Sequence, residues 1–198
     1  MKLQFGPNSP FARKVRIMAI ELGLDKRVQQ EEVVLSPYEP NAEVLALNPL
    51  GKIPVLVTNE GVALFDSAVA CEYLSVLSGD RKWFPPAGTP RWYALRCQAV
   101  ADGLLEAGQL IRLEQLRPAE FRYARWIDAQ AAKVRRAVAF LEANPPADAD
   151  VGAIATACAL GWLDFRLPDL RWRDAAPQLA RSFQKFGKRA SFAATVPT

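Results

Sequence analysis

Hydrophobic and polar positions change rhythm several times along this chain. "KLQFG" at residues 2–6 alternates like a short strand and ends in a turn. A helical period takes over at Pro10, where Phe11, Val15, Met18 and Leu22 share one face and Gly23 is the stop. "RVQQEEVVL" reads as a second strand, and the loop from Ser36 to Pro49 carries a short helix around "AEVLAL". "IPVLVT", the turn "NEG" and "VALF" predict a β-hairpin. "DSAVACEYLSVL" returns to helical spacing, with Asp66 as its N-cap. The order βαβ, hairpin, helix predicts an α+β domain with parallel and antiparallel pairing over residues 1–78.

Residues 79–90, within "SGDRKWFPPAGTP", break the pattern with Gly and Pro and read as a linker. From residue 91 to 198 the strand signal is gone. "RWYALRCQAVADGLLEAGQLIRLEQL" predicts one long helix, and a second runs from Pro118 to the Pro145–Pro146 pair. "GAIATACALGWLDFRL" is apolar nearly all round, which places a third helix in a core. "AAPQLARSFQKFG" is a fourth. An all-α helical bundle therefore follows the α+β domain.

Composition narrows the function classes. The 198 residues suffice for a packed core without disulfides. The net charge is +4, but 25 basic residues are interleaved with 21 acidic ones, which describes a solvated surface rather than a nucleic-acid footprint. The complete absence of histidine excludes His-based triads and most zinc sites. Cys71, Cys97 and Cys158 sit in apolar helical patterns and form no CxxC pair, so no metal is expected and a reducing cytoplasm fits. "MKLQFGPNSP" lacks the apolar core of a signal peptide, and no run approaches the ~20 apolar residues of a membrane span. These features predict a soluble cytoplasmic protein.

Three short stretches carry candidate chemistry. Ser9 before Pro10 is a helix cap, and the same geometry presents unpaired N–H groups and a hydroxyl to an anion. In "NPLGKIPVLV", Pro54 opens a strand, where its missing N–H is tolerated. A cis Ile53–Pro54 bond would turn the Ile53 backbone groups toward a ligand. In "LFDSAVACEYL", Asp66 and Ser67 begin a second helix, either as a cap or as a holder of a substrate carboxylate.

In this order and spacing, "SPFARKVRI", "NPLGKIPVLV" and "FDSAVACEYL" resemble the glutathione transferase superfamily, in the form of bacterial members with a serine in the active-site loop. "ADGLLEAG", "ALGWLDFRLPDLRWR" and "PQLARSFQKFGKRASFAAT" extend the resemblance through the helical half. It implies a thioredoxin-like N-terminal domain, an all-helical C-terminal domain, a homodimer, and glutathione as co-substrate. The implied reaction is detoxification by conjugation of glutathione to a small hydrophobic electrophile. Ser9 is the implied catalytic residue beside the sulfur, with Phe11 near it and Asn8 as a second candidate donor. Lys52 and Ile53 would hold the middle of the tripeptide next to a cis Pro54, and Asp66 and Ser67 its γ-glutamyl end. With serine rather than cysteine at position 9, disulfide-exchange chemistry is disfavoured. A glutathione-dependent peroxidase and a non-catalytic, regulatory glutathione-binding protein are the alternatives on the same fold. The resemblance departs in two places: Ala153 stands where an Asp would complete the capping box begun by Asp150, and "RASF" replaces "RPSF" from Arg189. On the first long helix Leu104, Gly108, Ile111 and Arg112 recur at helical spacing. They line either an apolar second-substrate pocket with one basic group or an interhelical contact. Trp162 and Phe165 read as core, and Arg166 as the partner of Asp164 or Asp169.

Overall fold

A computed structural model describes residues 1–197. The chain forms two compact units. One comprises Met1–Phe84 together with the C-terminal segment from Arg189; the other is Pro85–Lys188.

The first unit is built on a four-stranded sheet in the order β2-β1-β3-β4, with β1 Lys2–Phe5, β2 Gln29–Glu32, β3 Val55–Val57 and β4 Ala63–Leu64. β2 runs parallel to β1, with Leu3 opposite Gln30. β3 runs antiparallel to β1, with Leu3 opposite Leu56 and Gln4 opposite Val55. β4 returns antiparallel to β3, with Leu56 opposite Leu64. The crossover between β1 and β2 is α1 (Pro10–Glu21), a short α2 (Ala42–Leu47) precedes β3, and α3 (Ser67–Ser78) follows β4. α1 and α3 pack on each other. Their inward faces, including Val15, Ile17, Met18, Ala70 and Leu74, are fully buried with Leu3, Val55 and Leu56. This is the mixed-sheet α+β layer that the alternating and helical stretches predict.

The expected helical domain of residues 91–198 is corrected at both ends. Its first helix, α4, already starts at Thr89, and the segment from Arg189 belongs to the first unit. The physical reason is a set of long-range polar contacts to α1. Arg13 donates from Nη2 to the Phe192 carbonyl at 2.9 Å and stacks on the Phe192 ring. Glu21 accepts from Arg189 at 3.0 Å and from the Ser191 hydroxyl at 2.6 Å. Ser191 and Phe192 lie in the short helix α8 (Ala190–Ala193).

The second unit holds α4 (Thr89–Leu116), α5 (Ala124–Ala143), α6 (Val151–Arg166) and α7 (Pro177–Gly187). Every residue of α6 from Val151 to Leu160 is buried, as its apolar sequence requires. The Asp150 carboxylate caps α6 by accepting the Ala153 N–H at 2.8 Å. The second helix does not begin at Pro118. Pro118 is extended, Ala119–Phe121 forms a 3-10 turn, and the Tyr123 N–H donates to Glu114 at 2.9 Å. That turn and bond delay α5 to Ala124. No helix among the described residues is long and apolar enough to cross a membrane.

Candidate functional site

Strand direction brings the three chemical stretches together. The sheet end where β1 finishes is also where β3 begins and β4 finishes. The residues after β1 (6–9), before β3 (52–54) and after β4 (65–67) therefore emerge side by side. Their contact is direct at one point: a Cβ added to Gly6 would lie 3.0 Å from Ile53 Cδ1. Both α1 and α3 begin at this end, so two helix N-termini share it.

At the first of these, the Ser9 N–H closes a turn onto the Gly6 carbonyl at 3.0 Å. Ser9 is extended (φ −81, ψ 117) and its Oγ accepts the Ala12 N–H at 3.2 Å. Pro10 has no N–H, which leaves the Phe11 N–H as the open amide of the first turn. Because Ser9 Oγ already accepts, its own proton is available to a ligand, and the bond it receives polarises it toward donation. The cap reading and the anion reading of Ser9 are thus one arrangement. Asn8, half-buried beside it, has a buried side-chain oxygen with no partner among the described residues.

At the second stretch the Ile53–Pro54 peptide is cis. Pro54 is buried, Ile53 half-buried and Lys52 exposed. Asn48 fixes this loop. Its Nδ2 donates to the Lys52 carbonyl at 2.8 Å, its Oδ1 accepts the Leu50 N–H at 3.0 Å, and its carbonyl accepts the Gly51 N–H at 2.9 Å. Gly51 sits at φ +62, a left-handed turn suited to glycine. The sequence reading missed Asn48 as a positioning residue; an Asx-turn former before a proline and a glycine was the available signal.

At the third stretch Asp66 Oδ1 caps α3 through the Ala68 N–H at 2.9 Å. Ser67 is almost fully buried at the first helical position, while Asp66 is exposed. The sheet end thus gathers a hydroxyl, open helix amides, an exposed lysine and a carboxylate within one unit. Such a set suits an extended ligand with an anion at one end and charged backbone groups at the other.

The residues expected to line a second-substrate pocket separate. Leu104 and Ile111 are buried at 1% and 2% exposure. A Cβ on Gly108 would lie 2.7 Å from Trp162 Cζ3 and 3.5 Å from Leu167 Cδ1. Gly108 lies in the α4–α6 packing contact, because only a glycine lets the indole approach so closely. Arg112 alone of the four is half-exposed. Trp162 is core as expected, but Phe165 is 40% exposed and lies beneath the Arg166 guanidinium. Arg166 pairs with neither expected aspartate. Asp164 is taken by Arg173 and by the Trp172 Nε1–H at 2.8 Å.

Comparison with known proteins follows the same outline. Residues 8–77 match the family model for the glutathione S-transferase N-terminal domain. The uncharacterized GST-like protein YibF of Escherichia coli K12 is 33% identical over all of this chain and 98% of its own length. A glutathione transferase family member from Pseudomonas fluorescens Pf-5, solved with bound glutathione, is 42% identical with a TM-score of 0.94. The match covers all of this chain and 98% of that one. A second structure from that organism, with bound S-(propanoic acid)-glutathione, is 41% identical with a TM-score of 0.89 over the full length of both chains. The sheet order, the paired helix starts and these full-length similarities agree, and the chain belongs to the glutathione S-transferase family.

Proposed function

We propose that this protein binds glutathione at the shared end of β1, β3 and β4, holds it as the thiolate, and transfers it to a small hydrophobic electrophile. The observation that carries the reading is the convergence of three loops and two helix N-termini at one sheet end, with the Ser9 hydroxyl proton and the Phe11 N–H unspent. In this reading Ser9 and Phe11 face the sulfur and Lys52 and Ile53 hold the middle of the tripeptide. Asp66 takes the γ-glutamyl ammonium, and the N-terminus of α3 at Ser67 takes the neighbouring carboxylate. A relative above 40% identity has been solved once with glutathione and once with S-(propanoic acid)-glutathione, which supports both the ligand and a substituent on its sulfur.

The step itself is simple. The thiolate electron pair forms a sulfur–carbon bond with the electrophile. A leaving group departs with its own electron pair, or, with an activated alkene, the carbanion formed takes a proton from water. Ser9 keeps its proton and acts as a hydrogen-bond donor to the charged sulfur.

Calorimetric titration with glutathione, paired with turnover of a chloronitrobenzene, tests the proposal. Saturable binding that weakens in Asp66→Ala, together with turnover above the uncatalysed rate, is expected. Absence of heat at millimolar glutathione would remove the ligand; binding without turnover of any aryl halide or activated alkene would remove the transfer.

A further inference from the structure

Two arginines of the helical unit, Arg112 and Arg166, are close enough for the charge of one to act on the other. α4 and α6 pack in parallel, and their register can be read from two glycines. A Cβ on Gly152 would meet Cys97 Cβ at 2.7 Å, and one on Gly108 would meet Trp162 Cζ3 at 2.7 Å. One helical turn beyond Gly108 is Arg112, and one turn beyond Trp162 is Arg166. The register therefore sets these two side chains beside each other at the same level of the bundle. Burial lowers the Arg166 pKa, and the charge of Arg112 lowers it further.

Neither guanidinium has a carboxylate partner among the described residues. The acids closest along the two helices are engaged elsewhere. Asp164 holds Arg173 and Trp172, and Glu114 holds Arg117 and the Tyr123 N–H. The Arg166 guanidinium lies 4.0 Å above the Phe165 ring, so a face of the group is occupied and its N–H edges are left for another acceptor. Phe165 keeps 40% of its surface exposed next to that edge.

We propose that Arg112 and Arg166 form an anion-binding site for a small aromatic carboxylate, with Phe165 receiving the ring. Two like charges held together are mutually unfavourable until an anion lies between them. A carboxylate offers two oxygens to two forks of donors, the geometry that guanidinium groups bind most strongly. An apolar ring attached to it would cover the exposed Phe165. The site lies wholly on the helical unit and does not depend on the glutathione reading.

The test is calorimetry on the full chain with 3-nitrobenzoate and 3-nitrobenzamide, which share a ring and differ in charge. The wild type should bind the acid at least roughly tenfold more tightly than the amide, and added salt should weaken only the acid. Arg112→Gln and Arg166→Gln should each weaken the acid by roughly ten- to a hundredfold, the loss that follows from removing a hydrogen bond to a charged group. Arg166→Lys should recover part of it as a point charge without the fork. Equal affinity of the wild type for acid and amide would overturn the proposal without reference to any variant. Retention of the acid preference in both glutamine variants would overturn it as well. Failure of glutathione to bind leaves these outcomes unchanged, so the two proposals stand or fall separately.

Discussion

Ser9→Ala is the sharpest perturbation of the proposed chemistry, because one oxygen carries two separable roles. As acceptor it caps α1 through the Ala12 N–H at 3.2 Å. As donor it is proposed to face the glutathione sulfur. A free thiol of this kind has a pKa of about 8.5. Holding it as thiolate near neutral pH needs a lowering of about 2 units, or ~2.7 kcal/mol of preferential binding. A hydrogen bond to a charged acceptor contributes about 1.5–3 kcal/mol. The N-terminus of α1 contributes about 0.3–1 kcal/mol more. The hydroxyl is thus the larger share, and its loss should raise the pKa of the bound thiol by about 1–2 units. Loss of the cap should cost about 1 kcal/mol of stability, small enough to leave the protein folded. The assay is a pH titration of the ultraviolet thiolate absorbance in the glutathione complex, run on wild type, Ser9→Ala and Asn8→Ala. The wild type should reach its thiolate plateau at the lower pH, and kcat/KM should follow the same shift. A bound-thiol pKa unchanged in Ser9→Ala would refute the reasoning. A rise confined to Asn8→Ala would transfer the role to its neighbour.

Two further outcomes concern the helical unit. Gly108→Val places methyl groups where a single Cβ already lies 2.7 Å from the buried Trp162 ring, so urea unfolding should show a loss of about 2 kcal/mol; an unchanged midpoint would contradict the α4–α6 contact. Burial raises the pKa of Asp150 above 3.8, although the N–H groups of Ala153, Gly152 and Ala147 act against it. The folded chain then keeps this proton at a pH where the unfolded chain has released it. That contribution to stability is full below about pH 3.8 and is lost as pH rises through the folded value. Asp150→Asn keeps an acceptor for the Ala153 N–H without the buried charge. It should unfold in urea at or above the wild-type midpoint near neutral pH, whereas Asp150→Ala should lose about 1–2 kcal/mol with the cap. A destabilised Asp150→Asn matching Asp150→Ala would show that the charge itself is required.

Local chemistry was legible wherever it depends on near neighbours in the chain. Ser9, Asp66 and Asp150 cap the helices they precede, since a side-chain oxygen and an open amide two or three residues away need no tertiary information. The alternating "KLQF" and the hairpin around "NEG" became adjacent strands for the same reason. What escaped depends on register or on distance. Leu104, Gly108 and Ile111 have the spacing of a pocket wall and of a packing face alike, and the approach of Trp162 to Gly108 is not encoded in that spacing. Arg166 sits two and three residues from aspartates in sequence, yet Asp164 is drawn away by Arg173 and Trp172 of the following turns. Pro118 looks like a helix start until Glu114 captures the Tyr123 N–H and bends the chain. The return of Arg189 and Ser191 to Glu21 spans up to 170 residues, a separation no periodicity encodes.

That return makes the first unit discontinuous, with the whole helical unit inserted between its two parts. During synthesis the sheet and α1 emerge first, but Arg13 must await the Phe192 carbonyl and Glu21 must await Ser191. Until then a cation that is only 4% exposed in the finished fold lacks that acceptor, and the contacts of α1 with α8 are not yet made. Contacts this distant in sequence close late and slowly. The ribosome therefore releases the helical unit's full sequence before the helix that carries Ser9 at its tip can be locked in place. Order of manufacture and order of completion run in opposite directions in this chain.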